Sequence, residues 1–474
     1  MSRFVFWAVF TAALCSVAHA QEQEFERTLQ QIQRDTQERT QKQLPAGDRA
    51  LIDYGGYLTL SYLSFDDSNH DNHGLREYEL VGYGRLNLDG AHEFYARGRA
   101  DYRDYNSGDS FERQPSTLMG RVEEGWYRFD LQRYASAYQN RTIQGDLSVK
   151  AGRQFVEWGN GLTLDQYADG ISAEARHGPF VLDALAAVTV KETIDFDTSR
   201  PDFDHNTHRG FYGARLTVPV GTHNPYAYVL FQRDYNRPEQ LDAHVIPTRY
   251  NYNSYYAGIG SNGALTDNLA YGAEVCYEGG RTLSNSYDPA SLQPVNQTEN
   301  HIEAYAADLR FDYLPNDRRR TRFTLEGIIA SGDNDRVFSS STFGGDSRRS
   351  VDHAFNSLGV IYAGLAFTPS VSNLMALRAG ASTYPIPDSR YARGLQTGVD
   401  VFVFGKTSRD APIDEPTGNS RYLGTEPDLF VNWAITEDVT LALRYGIFFP
   451  GQAIPSGNQD HVRQFFYAAV TYAF

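Results

Sequence analysis

The sequence lacks most of what ordinarily holds a secreted or membrane protein together. It has two cysteines, Cys15 and Cys276. Cys15 lies in FVFWAVFTAALCSVA, an apolar run behind Arg3 that ends at Ala18-His19-Ala20. Small-x-small before Gln21 marks residues 1–20 as a secretory signal peptide. Leu14 precedes Cys15, where a lipid-anchor site needs a small residue. The mature chain then keeps Cys276 alone, which excludes an intramolecular disulfide and leaves stability to hydrogen bonds and packing. After Ala20 there is no apolar run long enough for a transmembrane helix. Positive charge is also scarce. Arg3 is the only charge before Gln21, so 42 of the 43 basic and all 59 acidic residues remain, a net −17. That balance excludes nucleic acid as a natural partner. No G-x-S-x-G elbow, Walker loop or paired-cysteine cluster occurs, and no cofactor is expected.

What the chain has in quantity is aromatic residues, 32 Tyr and 28 Phe, and a period-two pattern that no helical period rivals. HEFYARGRADYRDY sets Phe94, Ala96, Gly98, Ala100 and Tyr102 against Tyr95, Arg97, Arg99, Asp101 and Arg103. Tyr305, Ala307, Leu309, Phe311 and Tyr313 alternate with Asp308, Arg310 and Asp312 in the same way. Lipid on one face and water on the other is the arrangement of an outer-membrane β-barrel, with low mean hydropathy and aromatic girdles. The pattern predicts an all-β, antiparallel up-and-down barrel over residues 51–474, preceded by a short periplasmic helical or disordered segment at 21–50.

Strands are expected to start near 54, 76, 92, 121, 145, 167, 179, 209, 225, 254, 268, 300, 321, 372, 396, 422, 438 and 463, eighteen in all. An even number leaves both ends on the periplasmic side. Residues 357–367, SLGVIYAGLAF, carry a strand-like pattern, but parity makes them an external loop. The chain ends FFYAAVTYAF, apolar or small on both faces, as a last strand that closes the barrel against the first.

Period-two parity turns Arg85, Arg97, Arg99, Arg103, Arg128, Lys150, Arg215, Arg310, Arg378, Lys406 and Arg444 into the lumen. Glu77, Glu79, Asp101, Glu274, Asp308, Glu326, Asp400 and Asp428 accompany them. Two readings stay open: these charges pair across strands and fill a polar interior, or unpaired arginines form a positive constriction that selects anions. His70, Asp71 and His73 lack the geometry of a metal site. SGDND, residues 331–335, offers oxygen ligands without the spacing and closing glutamate of a dedicated calcium loop.

Several stretches resemble the alginate export family of eighteen-stranded outer-membrane barrels. VKAGRQFVEWGNGL is similar to its G-R-Q strand, here Gly152, Arg153 and Gln154, and YLGTEPDLFVNWAI to its G-x-E-x-D-L strand, here Gly424, Glu426, Asp428 and Leu429. SNLMALRAG, IIASGD and RYGIFFPG match further family positions. The resemblance implies that Arg153, Lys406 and Arg444 are pore-lining bases and that Glu426 and Asp428 are lumenal acids. Strict alternation aims Arg153 at lipid, and a bulge at Gly152 would turn it inward. GRVEEGWY departs from the family by carrying Glu123 and Glu124 where exporters can carry a base.

Together these features give an expected function: a monomeric, non-enzymatic outer-membrane channel that exports a polar, anionic polysaccharide by diffusion through an arginine-lined pore. Its partners would be outer-membrane lipid, the assembly machinery that reads a terminal phenylalanine, and the saccharide itself. The alternatives are an uptake porin for small anionic or saccharide solutes and, third, an outer-membrane hydrolase.

Overall fold

The computed structural model describes residues 50–69, 71–109, 118–190, 208–236, 248–288, 291, 293–336, 339–340, 346–455 and 461–474. The expected signal peptide and the expected segment at 21–50, up to residue 49, lie outside the described residues, as do His70 and the acidic stretch DFDTSRPDFDH. Eighteen strands form the wall. They are β1 Ala50–Asp66, β2 Asn72–Leu88, β3 His92–Tyr105, β4 Met119–Asp130, β5 Asp146–Trp158 and β6 Leu164–His177. There follow β7 Phe180–Thr189, β8 Arg209–Thr217, β9 His223–Asp234, β10 Tyr252–Thr266, β11 Leu269–Leu283 and β12 Glu299–Tyr313. The wall ends with β13 Arg322–Ala330, β14 Met375–Thr383, β15 Leu395–Gly405, β16 Tyr422–Ala434, β17 Val439–Pro450 and β18 Arg463–Ala473. Val351–Asp352 adds a two-residue parallel bridge to β12, outside the wall.

Each wall strand pairs antiparallel with its sequence neighbours, and β1 pairs with β18 from Tyr57↔Ala473 to Phe65↔Phe465. Phe474 completes the seam, its N–H donating to the Gly56 carbonyl at 2.9 Å and its carbonyl accepting from the Gly56 N–H at 3.0 Å. Closure pairs the first wall strand with the last and so removes the two outer edges of the sheet, the condition for β structure in lipid. The terminal aromatic stretch is thus half of the closing ladder.

The exposed apolar side chains fall on the outward parity of each strand, among them Phe94, Val275, Tyr305 and Leu309. Exposed aromatics gather toward strand ends: Phe231, Tyr255 and Tyr277 pack in series on the external side, and Tyr313 on Phe323 on the periplasmic side. Most periplasmic connections are short; the longer ones are 384–394, between β14 and β15, and the link from β4 to β5, which carries a helix, α1 Leu131–Gln139. Asp130 caps it, its carboxylate accepting from the Arg133 N–H at 2.8 Å, and Asn140 ends it at φ 48°. The period-two reading did not foresee this helix, because nine residues give barely two helical turns.

Val275, midway along β11 and facing out, should report the membrane directly. Val275→Arg is expected to cost about 2–4 kcal/mol in reversible unfolding from bilayers, and Tyr313→Arg at the rim about 0–1 kcal/mol. Equal costs at the two positions would contradict this placement in lipid.

Candidate functional site

Two segments leave the wall and enter the lumen. The first is the external end of the β5–β6 hairpin. Ladder pairing between β4 and β5 stops at Gly125↔Arg153, whereas β5 and β6 stay in unbroken register from Asp146↔Arg176 to Trp158↔Leu164. The bend falls at Gly152, whose φ of 128° and whose approach to the Gly125 carbonyl leave no room for a Cβ. Beyond it Trp158, Leu162, Thr163 and Leu164 are buried. The Asn160 N–H donates to Glu274 at 2.5 Å, and the Thr163 hydroxyl lies 2.6 Å from that of Tyr228.

The second segment is the loop between β13 and β14, whose residues 353–374 cross the lumen. At one side Leu358 bridges to Leu164, and Gly359 passes so close to the Gly161 carbonyl that any side chain would collide with it. Fully buried Glu278 holds this end, accepting from the Tyr252 and Tyr256 hydroxyls at 2.6 and 3.0 Å and from the Asn356 N–H at 2.7 Å. At the other side Glu426 accepts three consecutive backbone N–H groups, Leu365 at 2.5 Å, Ala366 at 2.7 Å and Phe367 at 2.9 Å. Tyr362 donates to Asp428 at 2.8 Å, and the Phe367 ring stacks on Phe448 at 4.0 Å. Hydrogen bonds to a charged group contribute about 1.5–3 kcal/mol each, which offsets the cost of burying the carboxylate. SLGVIYAGLAF is therefore not a wall strand, as parity required. Its apolar side chains pack on the inner wall, Phe402 and Phe404 included.

Most of the candidate cations are engaged. Arg97 pairs with Glu123 at 2.7 Å and Glu124 at 3.1 Å, Arg99 with Glu79 and with Glu123 at 3.0 Å, and Arg103 with Glu77 at 3.2 Å. Arg215 meets Asp183 at 2.9 Å, Arg310 meets Asp312 at 3.1 Å, and Arg378 meets Glu326 at 3.0 Å and Asp400 at 2.8 Å. Arg444 donates to the Val431 carbonyl at 3.2 Å and lies over the Phe430 ring. The pairing reading therefore describes the arginines of β3, β8, β12 and β14.

Two expected placements are corrected, those of Lys406 and Arg153. Lys406 is one residue past β15 and fully buried in the external loop 406–421, donating to the Ala411 and Gly418 carbonyls and the Thr417 hydroxyl; burial lowers it to about 8. Arg153 is not turned by a bulge at Gly152. It spans the gap where β4 and β5 separate, its guanidinium on Asp169 at 2.8 and 3.0 Å and on the Val122 carbonyl at 2.8 Å. The bulge lies in β4, where Arg97↔Glu124 is followed by Gly98↔Val122, so Glu123 and Glu124 both reach Arg97. Glu426 and Asp428, expected as lumenal acids, hold the crossing segment.

Below the bent hairpin, on its periplasmic side, β4 to β8 line a cavity of about 370 Å³ that carries Arg128, Lys150, Arg176 and Arg215 together with Glu157, Glu174 and Asp183. Lys150 is the one candidate with neither a hydrogen bond nor an ion pair among the described residues. It stands over the Trp126 ring at 4.5 Å. Arg215 lies 5.4 Å over Trp158.

A closed eighteen-stranded barrel with an apolar outer surface is the porin-type fold of an outer-membrane channel. The chain belongs to the alginate export family, whose model matches residues 67–468. Among solved structures it is similar in fold to three Pseudomonas aeruginosa proteins. OccK11 (OpdR) is 11% identical, with 89% of this chain and 96% of that one covered at a TM-score of 0.50. OccK5 (OpdH) and OpdQ are 8% and 10% identical, each covering 89% of this chain and 98% of theirs at TM-scores of 0.50. No curated protein matches the chain.

Replacing Glu426 with Gln substitutes an N–H₂ donor for one of the oxygens that receive three N–H groups, and leaving a buried N–H without its acceptor costs about 1–3 kcal/mol. Glu426→Gln should raise single-channel conductance and add rapid flicker in planar bilayers. A quiet channel of unchanged conductance would show that the crossing segment does not depend on this carboxylate.

Proposed function

We propose that the protein exports an acidic polysaccharide from the periplasm by diffusion, as a monomer, with the β4–β8 cavity as the electropositive mouth of the route. The observation that carries this reading is Lys150, a cation without a carboxylate partner, set over Trp126 beside Arg128 in a periplasm-facing cavity. A saccharide carboxylate meets charge there. The sites are weak and adjacent, so a chain can enter and also leave. The family membership supports export over uptake. Closure of one chain by β1 and β18 supports a monomer. Phe474 at the end of the closing strand is proposed as the residue that assembly machinery recognises.

The proposal differs from an arginine-lined pore in which cations govern selectivity. Where Arg97, Arg99, Arg103, Arg310 and Arg378 are neutralised by neighbours, the selective charge falls to the cavity, and a lumenal charge is screened less than external acidic loops.

The wild-type channel should show an anion-selective reversal potential and should be blocked by uronic-acid oligomers added from the periplasmic side. Lys150→Glu should move the reversal potential toward cations and weaken block about tenfold, as expected for losing roughly 1.4 kcal/mol of attraction. Equal block by neutral glucose oligomers, or a wild-type preference for cations, would contradict the acidic-saccharide reading and favour an uptake porin for neutral solutes.

A further inference from the structure

The loop that supplies the crossing segment begins with SGDND. Asp333 and Asp335 stand there, and Asp346 lies farther along the same loop. One carboxylate oxygen from each lies within 4.8 Å of the others. Asp333 and Asp346 are 4% and 2% exposed, while Asp335 reaches solvent. Their hydrogen bonds do not supply positive charge. Asp333 accepts from the Asp335 and His353 N–H groups at 2.7 Å each, Asp335 from the Ser350 hydroxyl, and Asp346 Oδ2 from the Asn300 amide. Oδ1 of Asp346 is buried and has no partner.

The charge is also unbalanced. Arg336 is the cation that forms an ion pair here among the described residues, and it donates to buried Asp352 at 2.6 Å. One positive charge thus stands against Asp333, Asp335, Asp346 and Asp352. His353 directs Nδ1 to the Glu303 carbonyl and contributes only its N–H to Asp333. Buried carboxylates persist when paired or when they coordinate a metal.

We propose that Asp333, Asp335 and Asp346 bind one divalent cation. Oxygen donors without histidine or cysteine select a hard ion, and a flexible set that is open at Asp335 to water ligands suits Ca²⁺ better than the strict octahedron of Mg²⁺. The orphaned Oδ1 of Asp346 gains a partner, and two positive charges reduce the surplus. The ion joins three places. Asp333 is bonded to His353, at the base of the crossing segment. Asp335 lies in the turn after β13. Asp346 is fixed to the external ends of β11 and β12, through its carbonyl to the Asn285 N–H at 2.9 Å and through Asn300. Calcium outside the cell would therefore brace the root of the lumenal partition.

The test uses the intact barrel in detergent, stripped with EDTA and titrated with CaCl₂ by calorimetry, with loss of the heat-modifiable band on warming as a second reading. One Ca²⁺ per chain is expected, at about 10⁻⁴–10⁻³ M as in extracellular modules, together with a rise in melting temperature. Asp346→Asn and Asp335→Asn should each weaken binding at least tenfold and make melting insensitive to EDTA. Asp335 is accessible, so its variant remains informative if Asp346→Asn fails to fold. Absence of saturable binding, or variants that bind as the wild type does, would overturn the site. Equal affinity for Mg²⁺ would overturn the choice of ion.

Discussion

The structure depends on carboxylates buried where they can accept several hydrogen bonds at once. Glu426 receives three backbone N–H groups, Glu278 two tyrosine hydroxyls and an N–H, and Glu274 two tyrosine hydroxyls and an N–H. Each belongs to a wall strand, and each fastens a segment that has left the wall. A bare barrel of eighteen strands encloses a wide aqueous space. What narrows this one is the pair of segments drawn inward, and buried carboxylates that each accept three hydrogen bonds keep them there. A single lost donor would leave a buried acceptor short of a hydrogen bond and loosen the segment it holds.

The same logic accounts for the abundance of charge inside. Inward arginines on β3 and β14 are matched by acids on neighbouring strands, so the lumen is polar without being uniformly positive. An acidic chain, net −16 over its full sequence, can still present a locally positive mouth, because Lys150 is exempt from the pairing and sits where the hairpin bend opens a cavity. Bend and cation share one strand: Gly152 redirects β5, and Lys150 lies two residues before it.

Strand number, direction and facing were legible in the sequence because lipid demands apolar side chains at every second position. The last strand is expected near 463 and begins at Arg463. Residues 357–367 show where alternation stops specifying structure. Alternation identifies a segment that is apolar on both sides, but a crossing loop packed among Phe402, Phe404 and Phe448 satisfies that as well as a strand does. Arginine partners were hidden for a different reason. They depend on cross-strand register, and the bulge at Glu123 that brings two acids to Arg97 leaves no periodic trace. Lys406 was misplaced by one residue of strand length, and Arg153 by a glycine bend that parity cannot foresee. The family's G-x-E-x-D-L motif drew attention to Glu426 and Asp428, yet their role as anchors needed the N–H groups of Leu365, Ala366 and Phe367, some sixty residues away in the chain.

The central claim is that residues 353–374 form a fixed partition rather than a mobile external loop. Hydrogen–deuterium exchange of the native barrel, resolved to the peptide spanning Leu365 to Phe367, tests it most directly. Amides bonded to a buried carboxylate should exchange as slowly as those of β16 and β17 and only through a common opening. Exchange within seconds, at the rate of an exposed loop, would contradict the account.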